Sequence, residues 1–187
     1  MRKKVILYTI IVLLFSVILN ARNGKKMFIE AQGMVMIPSD SKFKNIYGST
    51  IIYPRFKAAY KFGNHFYVFF GCGILKVSGK TPTLKAKADS KHKICQIALG
   101  YEGDISKKIQ FRLELGGANL NYSETAFGKT VDGSKIGLSV GGSIVYNFSN
   151  SFFTTFNIGY MGASDKVNDK NIKLGGIHTG IGIGVRI

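Results

Sequence analysis

Histidine is the side chain of this protein best suited to acid–base chemistry, and the chain contains three histidines. A hydrolytic site would need one of them within reach of a serine or a carboxylate. His178 is the strongest candidate, because the alternation around it places it on the same polar face as Ser139 and Ser143 of another segment. His65 falls in a turn and His92 in a lysine-rich loop. A lone histidine on a charged face is more often a member of a hydrogen-bond network than a base, so we expect no catalytic residues.

Metal and cofactor sites leave their own patterns, and the sequence has neither the Cys/His spacing of a zinc site nor a phosphate-cradling glycine loop. The glycines at 180, 182 and 184 alternate with large aliphatic residues, as the residues of a strand do. We therefore expect no metal and no cofactor.

The element around which the charged residues are arranged is the segment 109–115, where apolar and polar residues alternate without interruption. A period of two predicts a β-strand with one apolar and one charged face. Arg112 and Glu114 share the charged face, and Phe111 and Leu113 share the other. Either face could point inward. A soluble barrel would enclose the apolar face, whereas a membrane barrel turns it toward lipid.

The last segment favours lipid on the outside. Between His178 and Ile187 one face carries large aliphatic residues and the other carries three glycines between His178 and Arg186. Glycine weakens a strand unless the space it leaves is needed. The crowded interior of a barrel of about eight strands supplies that need. We therefore predict an all-β, eight-stranded, antiparallel up-and-down transmembrane barrel.

The amino terminus has the pattern of a secretory signal peptide. Three basic residues precede an apolar run and a small residue, Ala21, after which we expect cleavage. The predicted domains are a signal peptide at 1–21 and one barrel domain at 22–187, and an uncleaved membrane anchor is the alternative for the first segment.

Eight strands are predicted, with connections that alternate between short and long. Aromatic residues beside the short turns predict one membrane-interface girdle, and Tyr53 and Tyr122 predict the opposite one. The predicted strands cover residues 27–37, 52–62, 66–77, 93–101, 108–122, 135–148, 152–163 and 172–187.

This architecture resembles the small eight-stranded outer-membrane β-barrel proteins, the OmpA/OmpX-like group, over residues 27–187. The final residue departs from the group's usual aromatic end, since the chain finishes with Ile187. The resemblance implies a location in the bacterial outer membrane, contact with outer-membrane lipid and with the assembly machinery, and a structural, envelope-stabilising or adhesin-like role. Two alternatives stay open: a lipid-modifying enzyme, and a soluble periplasmic barrel whose apolar ligand would contact Phe111, Ile181 and Ile183.

Charged residues on the inward face predict a lumen charge network. Enclosed charges must pair or hydrogen-bond, because an isolated buried charge is very costly. We expect a plug of ion pairs and no wide pore, with an ion or solute pathway as the alternative. The predicted network contains Glu30, Arg55, Lys57, Lys61, Glu102, Arg112, Glu114, His178 and Arg186.

Two further features concern the segment from Cys72 to Cys95. If its two strands form a hairpin, the cysteines face one another, which allows either a disulfide bond or two free thiols. A basic outer loop in the same segment predicts either contact with lipopolysaccharide phosphates or a solvated surface. Nucleic acid is not expected, because no stacking aromatic residues are interleaved. The loop's lysines are Lys76, Lys80, Lys85, Lys87, Lys91 and Lys93.

Overall fold

The computed structural model describes residues 25–167 and 170–187, and the predicted signal peptide lies outside them. Within these residues, eight strands and one short helix, α1 (Ser41–Tyr47), follow one another. The strands are β1 (Met27–Pro38), β2 (Ile51–Phe62), β3 (Phe66–Lys80), β4 (Lys87–Asp104), β5 (Ile109–Ala126), β6 (Lys129–Asn147), β7 (Phe152–Val167) and β8 (Lys170–Arg186).

Each strand pairs antiparallel with the next, and β1 pairs with β8 to close the barrel. The closing register joins Phe28 to Arg186 and Met36 to His178. Closure pairs every strand of the barrel wall with two neighbours, which removes the usual route to edge-to-edge aggregation. Only at the loop end do β3 and β6 extend beyond their pairing with β2 and β7 among the described residues. The predicted eight-stranded up-and-down barrel is confirmed. Among the described residues, no helix has the length and apolarity needed to cross a membrane.

Large apolar side chains cover the outside of the barrel. Ile136 on β6 is 83% exposed and Ile183 on β8 is 70% exposed. Such a surface is unfavourable in water and is the outward face expected of a barrel in lipid. The predicted soluble-barrel pocket is wrong, since Ile181 and Ile183 point outward and Phe111 shares its face with the exposed Leu113. Other members of this apolar belt are Ile52, Phe56, Phe70, Ile97, Leu115, Leu138, Ile158 and Ile177.

The connections at residues 63–65, 105–108 and 148–151 and both described chain ends lie at one end of the barrel, here called the turn end. Four exposed phenylalanines form an aromatic girdle there: Phe62, Phe66, Phe148 and Phe152. The opposite end, which carries α1, is called the loop end. The predicted girdle at that end is wrong, because Tyr53 and Tyr122 are buried inside the barrel.

The interior has two levels with different chemistry. Toward the turn end it contains charged side chains around the aromatic cluster of Phe28, Tyr67, Phe69 and Phe153. Toward the loop end it contains two apolar clusters. One cluster is built from Met34, Met36, Ile51, Tyr53 and Leu75, and the other from Ile94, Ala118, Leu120, Tyr122, Met161 and Leu174.

Inward-facing glycines make room for this filling. A Cβ on Gly184 would come within 2.2 Å of the Phe153 ring, and one on Gly100 within 2.1 Å of the Tyr67 ring. The outward-facing Gly33 has open space around its Cα instead. The last strand therefore alternates glycine with aliphatic residues because large lumen side chains occupy the space beside the glycines.

Two hairpins at the loop end are longer than the sequence predicted. The segments 78–92 and 121–134 were expected to be loops, but β3 and β4 are joined by residues 81–86 only, and β5 and β6 by Phe127 and Gly128. Both turn residues have positive φ, 52° and 72°. This is the geometry of a tight hairpin turn whose twist matches that of the flanking strands.

The first loop-end connection contains α1 and covers part of the mouth of the barrel. Asp40 caps the helix by accepting hydrogen bonds from the backbone N–H groups of Lys42 (2.9 Å) and Phe43 (3.0 Å). Its second carboxylate oxygen accepts the backbone N–H of Lys173 on β8 at 3.1 Å. One carboxylate thus fixes both the start of the helix and its position against the last strand.

Candidate functional site

Ion pairs cross the lower half of the lumen, which is the half nearer the turn end. Lys57 on β2 pairs with Glu114 on β5, and both side chains are at most 9% exposed. Tyr67 donates a hydrogen bond to the same carboxylate at 2.7 Å. Lys61 pairs with Glu102 nearer the turn end. These contacts join opposite walls of the barrel, so they occupy the space through which a solute would have to pass.

Arg112 is the centre of this network. Its side chain is fully buried, its Nε donates to Glu102 at 2.7 Å, and its Nη1 lies 3.6 Å from Glu30. The guanidinium carbon lies 4.0 Å from the centroid of the Phe28 ring and 5.0 Å from that of Phe153. A weakly hydrated planar cation is suited to such a site, because it can stack on rings while its edge binds carboxylates.

The remaining predicted lumen residues have different surroundings. Arg186 lies 3.7 Å from Glu102 and donates to Gln110 at 2.7 Å. Arg55 donates to Gln96 and has no ion-pair partner among the described residues. His178 is buried, and its Nδ1 has no hydrogen-bond partner in the part of the chain that the structure describes. The structure therefore brings seven of the nine residues into ion pairs and leaves Arg55 and His178 outside them.

Neither serine predicted near His178 forms a hydrogen bond with it among the described residues. Ser139 accepts a hydrogen bond from Gln96, and the Ser143 hydroxyl has no hydrogen-bond partner in that part of the chain. The base–nucleophile contact that an enzyme at His178 would require is thus not formed among the described residues.

The lysines that the sequence assigned to a loop lie mostly on the β3–β4 hairpin. All six are exposed, and five of them are strand residues, while Lys85 lies in the turn. Lys76 is directly opposite Lys91, and Lys80 is directly opposite Lys87. We call Lys76, Lys80, Lys85, Lys87, Lys91 and Lys93 the lysine patch.

Only one acidic residue lies within the lysine patch. Asp89 contacts Lys87 at 3.1 Å and accepts a hydrogen bond from Ser78 at 2.5 Å. Together with the hydrogen bond from Ser78, the contact with Lys87 holds the pKa of the Asp89 carboxyl below its usual value. Lys76, Lys91 and Lys93 have no such partner among the described residues. Lys93 is opposite Ile74, an exposed residue that also belongs to the apolar belt, so this unpaired group begins where the belt ends on this hairpin.

A disulfide bond joins Cys72 and Cys95 below the lysine patch. The two residues are directly opposite each other in the β3–β4 register. Of the two alternatives that the sequence left open, the structure contains the bridge.

A cavity of about 210 Å³ lies beneath α1 at the loop end. We call it the mouth cavity. Its wall is mainly apolar and also contains Asp40 at the start of α1, His92 of β4 and Glu124 of β5. The side chains that line it include Met36, Phe43, Ile46, Tyr47, His92, Glu124, Ile172 and Leu174.

The polar groups of the mouth cavity lie beyond the apolar belt, and burial in the cavity shifts their pKa values. Burial lowers the pKa of His92 to about 4, so the ring is neutral at pH 7. Burial and the nearby Asp40 raise the pKa of Glu124, against a hydrogen bond from Ser90 that lowers it. Burial, followed by the charge of Glu124, raises the pKa of Tyr47 to about 12.

His92 lies 2.9 Å from the Ser90 hydroxyl, through Nε2. This is the distance expected of a base and its nucleophile. Glu124 is directly opposite Ser90 in the register, whereas a catalytic triad needs its carboxylate on the far nitrogen of the histidine. The arrangement therefore has two members of a triad in contact and the third in the wrong place.

Sequence reasoning missed the mouth cavity because it assigned His92 to a loop. The residues Ser90, His92 and Ile94 do alternate with Lys91 and Lys93, and this alternation was the available signal of a strand. Glu124 was missed for the same reason, since β5 was predicted to end at residue 122.

Comparison with known proteins identifies the fold class. No protein-family model matches the chain, and no curated protein matches it. Solved structures do match. The outer-membrane protein OprG from Pseudomonas aeruginosa aligns with a TM-score of 0.66 and 17% identity, covering 88% of this chain and 98% of OprG. The Neisserial surface protein A aligns with a TM-score of 0.58 and 16% identity, covering 86% and 96%. The attachment invasion locus protein Ail of Yersinia pestis aligns with a TM-score of 0.53 and 16% identity, covering 87% and 99%.

These likenesses, at low identity, establish the fold. The chain has the closed eight-stranded barrel of the small outer-membrane proteins, and the predicted resemblance to that group is confirmed at this level.

Proposed function

We propose that this protein is an integral barrel of the bacterial outer membrane, with no catalytic role. Its closed lumen supports the wall, and its lysine patch binds the phosphates of lipopolysaccharide, stabilising the envelope. The turn end faces the periplasm and the loop end faces outward, as short turns and longer hairpins do in barrels of this class. The observation that carries the proposal is the position of the unpaired Lys76, Lys91 and Lys93 immediately above the apolar belt.

The filled lumen supports a structural role over transport. Ion pairs of Arg112, Lys57 and Lys61 cross its lower half, and two apolar clusters fill its upper half. A solute would have to displace both levels. Function is therefore expected at the outer surface, where recognition by such barrels takes place.

The lysine patch has an electrostatic reason to bind anions. Like charges directly opposite on one face of a sheet destabilise the pair of strands. Lys76 and Lys91 are such a pair, and neither has an acidic partner among the described residues. A phosphate between them would convert this repulsion into two charge-assisted hydrogen bonds.

The position of the lysine patch at the edge of the membrane indicates which molecule supplies the phosphate. Lys93 is opposite Ile74, so the methylene groups of its side chain lie at the edge of the apolar belt and its ammonium group reaches the headgroup region. Lipopolysaccharide is the phosphate-bearing lipid of the outer leaflet. Ail of Yersinia pestis, a barrel of the same fold, has been solved with the heparin analogue sucrose octasulfate. That complex supports the idea that the fold can present a site for a polyanion.

The test is retention of the reconstituted protein on lipopolysaccharide at increasing salt. Replacing Lys76, Lys91 and Lys93 by glutamine removes about 1 kcal/mol per lysine at a membrane surface, which predicts a loss on the order of a hundredfold at low salt. The loss should shrink as salt screens the patch. The matched control replaces Lys26, Lys107 and Lys108 at the turn end, which removes the same charge.

Two outcomes separate the alternatives. Dephosphorylated lipopolysaccharide should bind the wild type as weakly as the intact form binds the patch variant. Equal retention of the patch variant and the turn-end control at low salt would show that the lysines are only solvated charges, and would overturn the proposal.

A further inference from the structure

We propose that the mouth cavity binds a small organic ammonium ion, with the cation between Glu124 and the aromatic rings below α1. This site is separate from the lysine patch, both in position and in the sign of its ligand.

Glu124 is a carboxylate without a compensating cation. It is half-buried in the wall of the cavity, and none of the ion pairs among the described residues includes it. Asp40 adds electrostatic repulsion. In a chain with 26 lysines and arginines against 10 acidic residues, an unpaired carboxylate inside a cavity is unusual. The Ser90 hydroxyl opposite it is a hydrogen-bond donor but not a cation, so this half-buried charge still favours a cationic partner.

The rings beside this carboxylate form a surface suited to a cation. Phe43 and Tyr47 of α1 lie 4.5 Å apart between centroids, and Phe43 meets the His92 ring at 5.4 Å. Tyr122 lies 6.4 Å from His92 on the other side. Aromatic faces attract ammonium groups, and desolvated pairs gain more than exposed ones. His92 is neutral at pH 7, so it does not repel such a ligand.

A second cavity of about 240 Å³ extends the site. It shares Ile46, Tyr47, Glu124 and Ile172 with the mouth cavity. Glu124 thus lies between two apolar spaces, which suits a ligand whose charged group bears apolar substituents. Lys42 and Lys173 line the mouth cavity and Lys129 lines the second cavity, but all three are exposed, and none lies within 4.0 Å of an acidic group of either cavity.

The ligand class is therefore a monocation of choline size, carrying methyl or short alkyl groups. Three partners contact it in this proposal: the Glu124 carboxylate, the Tyr47 ring and the Phe43 ring. The helix that supplies both rings is anchored by Asp40, so the site is formed before the ligand enters.

The experiment compares choline with its neutral isostere, 3,3-dimethylbutan-1-ol, by titration calorimetry. The protein is placed in nanodiscs whose lipid is phosphatidylglycerol, because this headgroup contains no ammonium group that could compete with choline. Choline should bind at least tenfold more tightly than the alcohol. Glu124→Gln should weaken choline at least tenfold and leave the alcohol unchanged, and Tyr47→Leu should weaken choline as well.

Asp132→Asn is the matched control, because Asp132 is an exposed acid on the neighbouring β6 outside the cavity. It should leave choline binding unchanged. Equal binding of choline and the alcohol would make the cavity a purely apolar site, and no binding of choline would leave it empty. Either result overturns the proposal, as does a loss in the Asp132 variant equal to that in the Glu124 variant.

Discussion

Replacing Arg112 by methionine is the perturbation that most directly probes the filled lumen. Methionine preserves the apolar part of the side chain, so the change removes mainly the positive charge and the N–H donors of the guanidinium group. Glu30 then loses its one ion-pair partner among the described residues, and Glu102 keeps only Lys61 and Arg186.

The expected loss of folding stability follows from the complete burial of the ion pair between Arg112 and Glu30. Breaking a buried ion pair by removing one partner costs about 3–5 kcal/mol. That corresponds to a decrease of roughly two hundred- to five thousand-fold in the ratio of folded to unfolded protein. Loss of stacking on Phe28 and Phe153 acts in the same direction.

The assay is urea unfolding of the barrel refolded into lipid vesicles, followed by far-ultraviolet circular dichroism and by gel mobility without boiling. Tyrosine fluorescence is the optical alternative, since the chain has nine tyrosines and no tryptophan. Lys93→Met is the matched control, because it removes a cation from the exposed surface, where changes are usually within about 0.5 kcal/mol.

A second variant distinguishes lost pairing from lost packing. Adding Glu30→Gln to Arg112→Met removes the carboxylate left unpaired, so the double variant should recover part of the stability. A loss below about 1 kcal/mol in Arg112→Met would mean that water solvates the lumen charges, and the account of a filled lumen would be refuted.

Three further predictions test the lumen and the wall. Purified wild-type protein in planar bilayers should show no stable, large single-channel conductance, and a steady large conductance would contradict the filled lumen. Thiol labelling of the denatured, unreduced protein should detect no free thiol at Cys72 or Cys95, and full labelling would rule the bridge out. Reduction of the bridge should lower the free energy of unfolding by about 3 kcal/mol for a loop of this length. Gly184→Val should lower the urea midpoint of unfolding, because the valine side chain would clash with the Phe153 ring, whereas Gly33→Val should not lower it. Equal effects of the two substitutions would show that the inward glycines do not serve lumen packing.

Alternation alone predicted which face of each membrane-level strand points inward. It worked for residues 109–115 and for β6, where Ser139 and Ser143 are buried and Leu138 and Ile144 are exposed. The reason is that lipid and a charged lumen impose opposite requirements on successive residues.

The upper lumen could not be predicted in this way. Along β1 the buried Met34 and Met36 are neighbours of Val35 and Ile37, so both faces are apolar and the period of two disappears. The apolar filling of that level therefore left no contrast in the sequence.

Lysine-rich segments misled the strand assignment for a different reason. Lysine is depleted in strands, and a run of it between residues 76 and 93 suggested a loop. Neighbouring strands override that preference, since β4 pairs with β5 from Ala88 to Asp104. Ion pairs such as Lys57 with Glu114 were also beyond reach, because they cross the lumen and depend on the stagger of strands that do not touch.

Separation of cell envelopes, followed by gel electrophoresis with and without boiling, tests whether this chain forms a closed barrel in the outer membrane. We predict that the protein is recovered in the outer-membrane fraction and migrates differently before and after boiling, because the closed barrel resists detergent until it is heated. Recovery in the soluble periplasm, with one mobility under both conditions, would contradict it.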